Sequence, residues 1–144
     1  MHVQHEIQIE RPPDIVFAFL ADPANAPRWQ QGMHEARLAT PGPMRQGSRL
    51  VEVRELLGRR HETTLEVTAF EPGSRFDLCA LDGPLGIRVR QRLEASGAGT
   101  RLSVEVDARP GGLLRFAGGM LRPAIEGQVR GDLESLRRVL EAEA

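Results

Sequence analysis

This chain of 144 residues contains no lysine and no tyrosine, and it has a single cysteine. Because all 19 basic residues are arginine, lysine Schiff bases and a phosphate-binding P-loop lysine are excluded, and the lack of tyrosine excludes tyrosine acid/base chemistry. Cys79 has no partner for an internal disulfide or for a cysteine-rich zinc site. We therefore expect a protein of the reducing cytoplasm.

An excess of basic charge and long apolar runs are also lacking. The 19 basic and 20 acidic residues give a formal net charge of -1, which argues against a nucleic-acid partner because such a partner requires a basic surface. No apolar run approaches the ~20 residues of a membrane-spanning helix, and the amino terminus lacks the basic and apolar regions of a signal peptide. With 40% hydrophobic residues, the composition predicts one soluble domain over residues 1–144, without integral membrane association.

Alternation of apolar and polar residues predicts that much of the chain is β-strand. In the first strand, Val3, Ile7 and Ile9 alternate with polar residues, so one face is buried. Turns rich in glycine and proline separate the later segments, which favours an antiparallel meander. The predicted strands are 3–9, 34–39, 49–57, 60–70, 75–81, 85–93 and 101–107.

Two short helices are predicted directly after the first strand. The first begins at Pro13 or Asp14 and ends before Asp22, since proline is favoured in the first helical turn and Asp-Pro stops a helix. The second, around residues 25–29, carries Trp29, the only tryptophan.

A long amphipathic helix is predicted over residues 112–141, where apolar side chains recur three to five positions apart. At ~1.5 Å per residue it would extend about 45 Å and would lie across the whole sheet. Pro123 and nearby glycines predict a kink or break over residues 119–123. The order of elements predicts an α+β fold: a seven-stranded curved antiparallel sheet wrapped around a long carboxy-terminal helix, with two short helices after strand 1. One helix cannot fill such a sheet, so we expect an apolar cavity.

The opening segment and several turns carry a family resemblance. The residues concerned are the segment 9–23, the motif Pro27-Arg28-Trp29, the segments 46–49, 67–72 and 99–102, and the closing helix. Together they resemble the START-like helix-grip superfamily, also called SRPBCC or the polyketide cyclase/dehydrase family. The resemblance covers nearly the whole chain. It implies a helix-grip fold and a ligand such as a lipid, a sterol or a polyketide, and some relatives cyclise or dehydrate polyketides. These motifs are turn and core signals, so they identify the fold and leave the function open.

The candidate ligand-binding residues are those expected to face the space between sheet and long helix. They are Phe17, Trp29, Leu65, Val67, Phe76, Leu78, Val89, Val104, Phe116, Met120 and Ile125. Trp29 is expected either to form a wall of the cavity or to plug the core between the short helices and the sheet. Phe116 and Met120 precede the predicted kink, and a flexible thioether suits an adaptable pocket. Ordinary core packing is the alternative interpretation for each of these side chains.

The candidates for proton transfer are His61 and Asp77. His61 shares a strand face with Thr63, Leu65 and Val67, which allows it to project inward. A single inward histidine is more often a hydrogen-bonded core or strand-end residue than a catalyst. Glu52 and Arg54 share a strand face, either inside the cavity or on the solvent side, and the solvent side is the preferred interpretation. The sequence lacks metalloprotease and serine-hydrolase motifs, so we expect no metal site, no nucleophilic serine and no cofactor.

The leading functional hypothesis is non-catalytic binding or carriage of a small hydrophobic or amphipathic molecule between the sheet and the carboxy-terminal helix. The alternative is an enzyme of polyketide cyclase or dehydratase type that uses an inward histidine or carboxylate. An entirely apolar lining would favour carriage, and two polar side chains converging in the cavity would favour catalysis. A third hypothesis is an interaction module that uses the outer face of the sheet or that associates with itself as a homodimer.

Overall fold

The computed structural model describes residues 1–56, 58–83, 85–112, 116 and 118–144. Within these residues, seven strands form one antiparallel sheet in the order β1-β7-β6-β5-β4-β3-β2. The strands are β1 (His2–Ile9), β2 (Met33–Leu38), β3 (Arg49–Leu56), β4 (Arg59–Glu71), β5 (Arg75–Ala80), β6 (Leu85–Ser96) and β7 (Gly99–Pro110). The helices are α1 (Pro13–Ala21), α2 (Ala26–Trp29) and α3 (Gly118–Ala142), and a 3-10 turn (Pro23–Asn25) precedes α2.

The strand order decides where the short helices lie. Strands β2 to β7 pair with their neighbours in sequence, whereas β1 pairs with β7 at one edge of the sheet and β2 forms the other edge. The segment that joins β1 to β2 therefore has to cross the width of the sheet. Helices α1 and α2 belong to this crossing segment, and it places Trp29 beside the concave face.

Two glycines show why the β6–β7 hairpin and its contact with β1 need this residue type. Gly97 has a φ of 61° in the tight turn between Ser96 and Gly99, a conformation that is costly for residues with a Cβ. At Gly99 an added Cβ would lie 2.4 Å from the carbonyl oxygen of Ile9. The close approach of β1 to β7 thus depends on a missing side chain.

The core lies between β1, β6, β7, α1 and the carboxy-terminal half of α3. Leu133, Leu136 and Leu140 form one stripe of α3 with exposures of 2%, 0% and 1%, as expected for an amphipathic helix. They belong to a single buried cluster that includes Ile7 and Ile9 of β1. This half of α3 is therefore anchored firmly on the sheet.

Helix α3 corrects two expectations about the long helix. It begins at Gly118 and not at residue 112, and residues 113–115 and 117 of the predicted helix lie outside the described residues. It also continues through Pro123 without interruption, so the predicted break is wrong. Proline removes only the bond to the carbonyl of Gly119, which is exposed in the first turn where water can take the place of the missing donor.

The observed strands agree with the predicted ones to within one residue at each end, except for β6 and β7. Strand β6 ends three residues later than predicted, and β7 begins two residues earlier and ends three residues later. Within the described residues, no helix combines the length and the apolar character that crossing a membrane requires.

Candidate functional site

A cavity of about 310 Å³ lies between the concave face of the sheet and helix α3. Its walls come from strands β2 to β7, from the end of α1, from α2 and from α3. Most of the lining side chains are apolar. The exposed lining residues Glu55 and Ala124 show that the cavity is open to solvent on one side.

The apolar part of the cavity follows from strand alternation and from the anchoring of α3. Leu78 of β5 and Ile87 and Val89 of β6 point inward because alternate residues share a face. The amino-terminal half of α3 lines the cavity opposite them with the apolar side chains of Leu121, Ala124, Ile125 and Val129. Since the other half of the helix already packs in the core, space remains under this end.

Most of the candidate ligand-binding residues line this cavity. They are Trp29, Leu65, Phe76, Leu78, Val89, Val104 and Ile125. Trp29 also packs against the hydrophobic core, so its two predicted positions, cavity wall and core plug, describe the same side chain.

Four candidates do not line the cavity, and two of these are core residues. Phe17 is 5% exposed and makes edge-to-face contacts with Phe70 and Phe76 at ring-centroid distances of 5.3 and 6.2 Å. Val67 is fully buried in the same core cluster. Both side chains face inward as predicted, but they serve packing and not the cavity.

The other two, Phe116 and Met120, are 75% and 80% exposed, so the expectation that they face the interior is wrong. The uninterrupted helix explains Met120: successive residues are rotated by about 100° around the axis, and the next residue, Leu121, takes the inward position with 5% exposure. Phe116 precedes the first turn of α3.

Polar side chains gather where β3 and β4 form the cavity wall. Glu52 pairs with Thr63 across the two strands, and Arg54 pairs with His61. All four residues line the cavity. The prediction that the Glu52–Arg54 pair lies on the solvent side is therefore wrong, whereas the inward direction predicted for His61 is confirmed.

Arg54 connects this polar group to the segment after α2. Its Nη2 donates to Oε1 of Gln30 at 2.5 Å and lies 3.6 Å from Oε1 of Glu52. The latter distance is an ion-pair contact longer than a hydrogen bond. The side chain of Glu52 is only 12% exposed, and burial raises its pKa, although the charge of Arg54 acts in the opposite direction.

Asp132 of α3 contributes a second buried carboxyl group to the cavity wall. It accepts hydrogen bonds from the backbone N–H of Gln31 at 2.9 Å and from Nε2 of Gln128 at 3.1 Å. The Nε2 of Gln128 also donates to the carbonyl oxygen of Gln31 at 2.7 Å. Burial raises the pKa of Asp132, and these two hydrogen bonds and the charge of Arg54 oppose that shift. These hydrogen bonds connect the segment after α2 to helix α3 at the edge of the cavity.

Asp77, the other candidate for proton transfer, does not line the cavity. It lies on the face of β5 opposite to Phe76 and Leu78, and it is 4% exposed because Arg75 and Arg92 surround it. Proton transfer within the cavity therefore cannot use Asp77. Among the described residues, no three histidine, cysteine, aspartate or glutamate side chains are grouped closely enough to hold a metal ion.

A curved antiparallel sheet that grips a carboxy-terminal helix over an internal cavity defines a helix-grip, ligand-binding class of protein. The family model described as "Polyketide cyclase / dehydrase and lipid transport" matches residues 1–141, and the chain belongs to this family. The sequence resemblance is thereby confirmed. No curated protein sequence shows significant similarity to this chain.

Solved structures of low sequence identity share the fold. The protein TTHA0849 from Thermus thermophilus is 17% identical, with a TM-score of 0.83 over 100% of this chain and 99% of that chain. The ZhuI aromatase/cyclase from Streptomyces sp. R1128 is 18% identical, with a TM-score of 0.78 over 98% of this chain and 93% of that chain. The di-domain aromatase/cyclase BexL of the BE-7585A biosynthetic pathway is also 18% identical, with a TM-score of 0.78 over 98% of this chain and 46% of that chain.

Proposed function

We propose that this protein binds and carries a small apolar or amphipathic molecule, of lipid, sterol or polyketide type, between the sheet and α3. The observation that carries the proposal is the cavity of about 310 Å³ with mainly apolar walls and one polar side. Small-molecule sites have this composition, with volumes of roughly 300 to 1,000 Å³. The family description, which names lipid transport, supports the proposal.

Binding to such a cavity would draw most of its free energy from apolar contact, on the order of 25 cal/mol per Å² of surface removed from water, less the cost of ordering ligand and protein. The polar side of the cavity would orient the ligand. Native mass spectrometry of protein purified without detergent would show whether a small molecule remains bound and would give its mass. Titration with fatty acids, sterols and aromatic probes can be followed by Trp29 fluorescence, because this single tryptophan lines the cavity. No saturable response to any of them would contradict the proposal.

A larger side chain at Ala80 is expected to abolish this binding. Ala80 lines the cavity beside Leu65, its partner across β4 and β5, so the ring in Ala80→Phe would occupy space that the ligand needs. We expect the affinity for any responsive probe to fall at least tenfold, measured by isothermal titration calorimetry.

The matched control is Ala18→Phe, because Ala18 is exposed on α1 and does not line the cavity. Its affinity should equal that of the unaltered protein. An equal loss in both variants, or unchanged binding in Ala80→Phe, would place the ligand elsewhere.

Catalysis of cyclase or dehydratase type is the second candidate, and the polar side of the cavity favours it. Glu52 and His61 are diagonal neighbours on adjacent strands, and such residues lie roughly 7–8 Å apart. In a dehydration, ionised Glu52 would take the proton from the carbon next to a carbonyl. Protonated His61 would give its proton to the β-hydroxyl group, which would leave as water as the carbon–carbon double bond forms.

This candidate predicts turnover of an aromatic β-hydroxyketone to the conjugated enone, followed by absorbance. Glu52→Gln and His61→Gln should each lower kcat about tenfold to a hundredfold, and Glu62→Gln should not, because Glu62 is exposed and does not line the cavity. Saturable binding of the ketone without turnover would instead favour carriage.

A further inference from the structure

The charges on the polar side of the cavity are unequal. Three carboxyl groups line the cavity, those of Glu52, Glu55 and Asp132, and among the described lining residues Arg54 is the only arginine that faces them. A ligand with an anionic end would meet more negative than positive charge. At the buried Glu52 and Asp132 this repulsion would be screened by water and salt less than at the exposed Glu55.

Among the buried acidic side chains of the cavity, Glu52 keeps the most capacity to accept a hydrogen bond from a ligand. Asp132 already accepts hydrogen bonds from Gln31 and Gln128. Glu52 differs from Asp132, because its one charged neighbour, Arg54, lies 3.6 Å away, at the long end of such contacts. Its carboxylate is 12% exposed and borders the cavity, so a hydroxyl group placed there can donate a further hydrogen bond to it.

We propose that the cavity selects an uncharged ligand with a hydroxyl or phenol group at one end, which donates a hydrogen bond to Glu52, and that it discriminates against carboxylates. This inference rests on the proposed binding function and names the chemical class of its ligand. An ammonium group is disfavoured as well, because it would lose its hydration among the apolar walls while Glu52 is already in ion-pair contact with Arg54. A neutral donor satisfies Glu52 and leaves the Glu52–Arg54 contact in place.

Four aromatic probes that share the naphthalene ring and differ in one substituent test the proposal. They are naphthalene, 2-naphthol, 2-naphthoate and 2-naphthylmethylammonium. At about pH 7 the naphthol is neutral and the naphthoate is ionised. Calorimetry should show that 2-naphthol binds at least tenfold more tightly than 2-naphthoate, and several-fold more tightly than naphthalene, since hydrogen bonds to charged acceptors are among the stronger ones.

The variant Glu52→Gln removes the charge and keeps the size of the side chain. We expect it to improve the binding of 2-naphthoate and to weaken that of 2-naphthol, so that their affinity ratio falls at least tenfold. Glu62→Gln is the matched control, since it removes a carboxylate from the outer face of the same sheet, and its affinity ratio should equal that of the unaltered protein.

Each outcome separates this inference from the binding proposal. Equal or tighter binding of 2-naphthoate or of the ammonium probe, or an unchanged ratio in Glu52→Gln, would overturn the charge selection while leaving the cavity as a binding site. If none of the four probes and none of the lipids or sterols binds, the proposed function itself fails. Loss of all probe binding in Ala80→Phe would show that the selection is exerted within the cavity.

Discussion

Leu136→Ala is expected to lower the free energy of unfolding by about 2–5 kcal/mol, the range for truncating a buried leucine. The side chain is completely buried in the cluster that joins α3 to the sheet. It does not line the cavity, so its removal creates a new void in packed surroundings. The cost then contains both the lost transfer free energy of the deleted carbons and the cost of the unfilled space.

Urea unfolding followed by circular dichroism would measure this loss. The matched control is Leu81→Ala, because Leu81 is 47% exposed and its truncation should change the free energy by no more than about 0.5 kcal/mol. A loss below about 1 kcal/mol in Leu136→Ala would mean that the carboxy-terminal half of α3 does not anchor the fold.

The alternation that predicted the strands worked because most strands bury only one face. In β1, Val3, Ile7 and Ile9 are at most 7% exposed, and Gln4, Glu6 and Gln8 alternate with them on the opposite face. Such a pattern is local and can be recognised without knowledge of the neighbouring strands. The bounds of the strands followed from the turns, and the order of elements indicated the helix-grip architecture.

The face of β3 that turns toward the cavity could not be predicted in the same way. Leu50, Glu52 and Arg54 point to one side, while Val51 and Val53 point to the other. Apolar residues thus occur on both faces, and the charged pair made the wrong face appear to be the interior. The cross-strand register shows which face of β3 is inward, because Leu50 lies opposite the buried Leu65. This register exists only in the assembled sheet and cannot be inferred from the sequence of β3 alone.

Phe116 and Met120 illustrate a different limit of sequence reasoning. Large apolar residues are buried on average, but an individual one is placed by the rotation and the starting point of its helix. The sequence predicted a kink or break over residues 119–123 and placed Phe116 and Met120 between sheet and helix. In the uninterrupted helix, Leu121 takes the inward position next to Met120, and Ile125 faces the cavity as predicted.

The cavity results from the way in which α3 packs on the sheet and from the order of the strands around it. Leucines of the last three turns hold α3 against the sheet, and the amino-terminal half of the uninterrupted helix lines the cavity together with strands β5 and β6. The space that remains is bordered by the polar side chains of β3 and β4. Glu52 is therefore buried by the architecture beside Arg54, and its carboxylate borders the cavity where a ligand can reach it.

Asp77→Ala is expected to lower the free energy of unfolding by about 2–3 kcal/mol without changing ligand affinity. The carboxylate accepts hydrogen bonds from Arg75 at 2.9 and 3.0 Å, from Arg92 at 2.6 Å and from the backbone N–H of Gln91 at 3.3 Å. Breaking a fully buried charge pair costs about 3–5 kcal/mol. Both arginine side chains are 40% exposed, so water would partly replace the lost partner and the expected loss is smaller.

Urea unfolding measures the stability of this variant, and calorimetry with a responsive probe measures its binding. Glu71→Ala is the matched control, because Glu71 is the other carboxylate near Arg75. It lies 3.7 Å from Arg75 and is 61% exposed, so its removal should change the free energy of unfolding by less than about 0.5 kcal/mol. Since Asp77 lies on the outer face of β5, its loss should leave probe affinity unaltered in Asp77→Asn as well. A variant that remained stable but no longer bound the probe would assign Asp77 to the ligand and would contradict the separation of the two faces of the sheet.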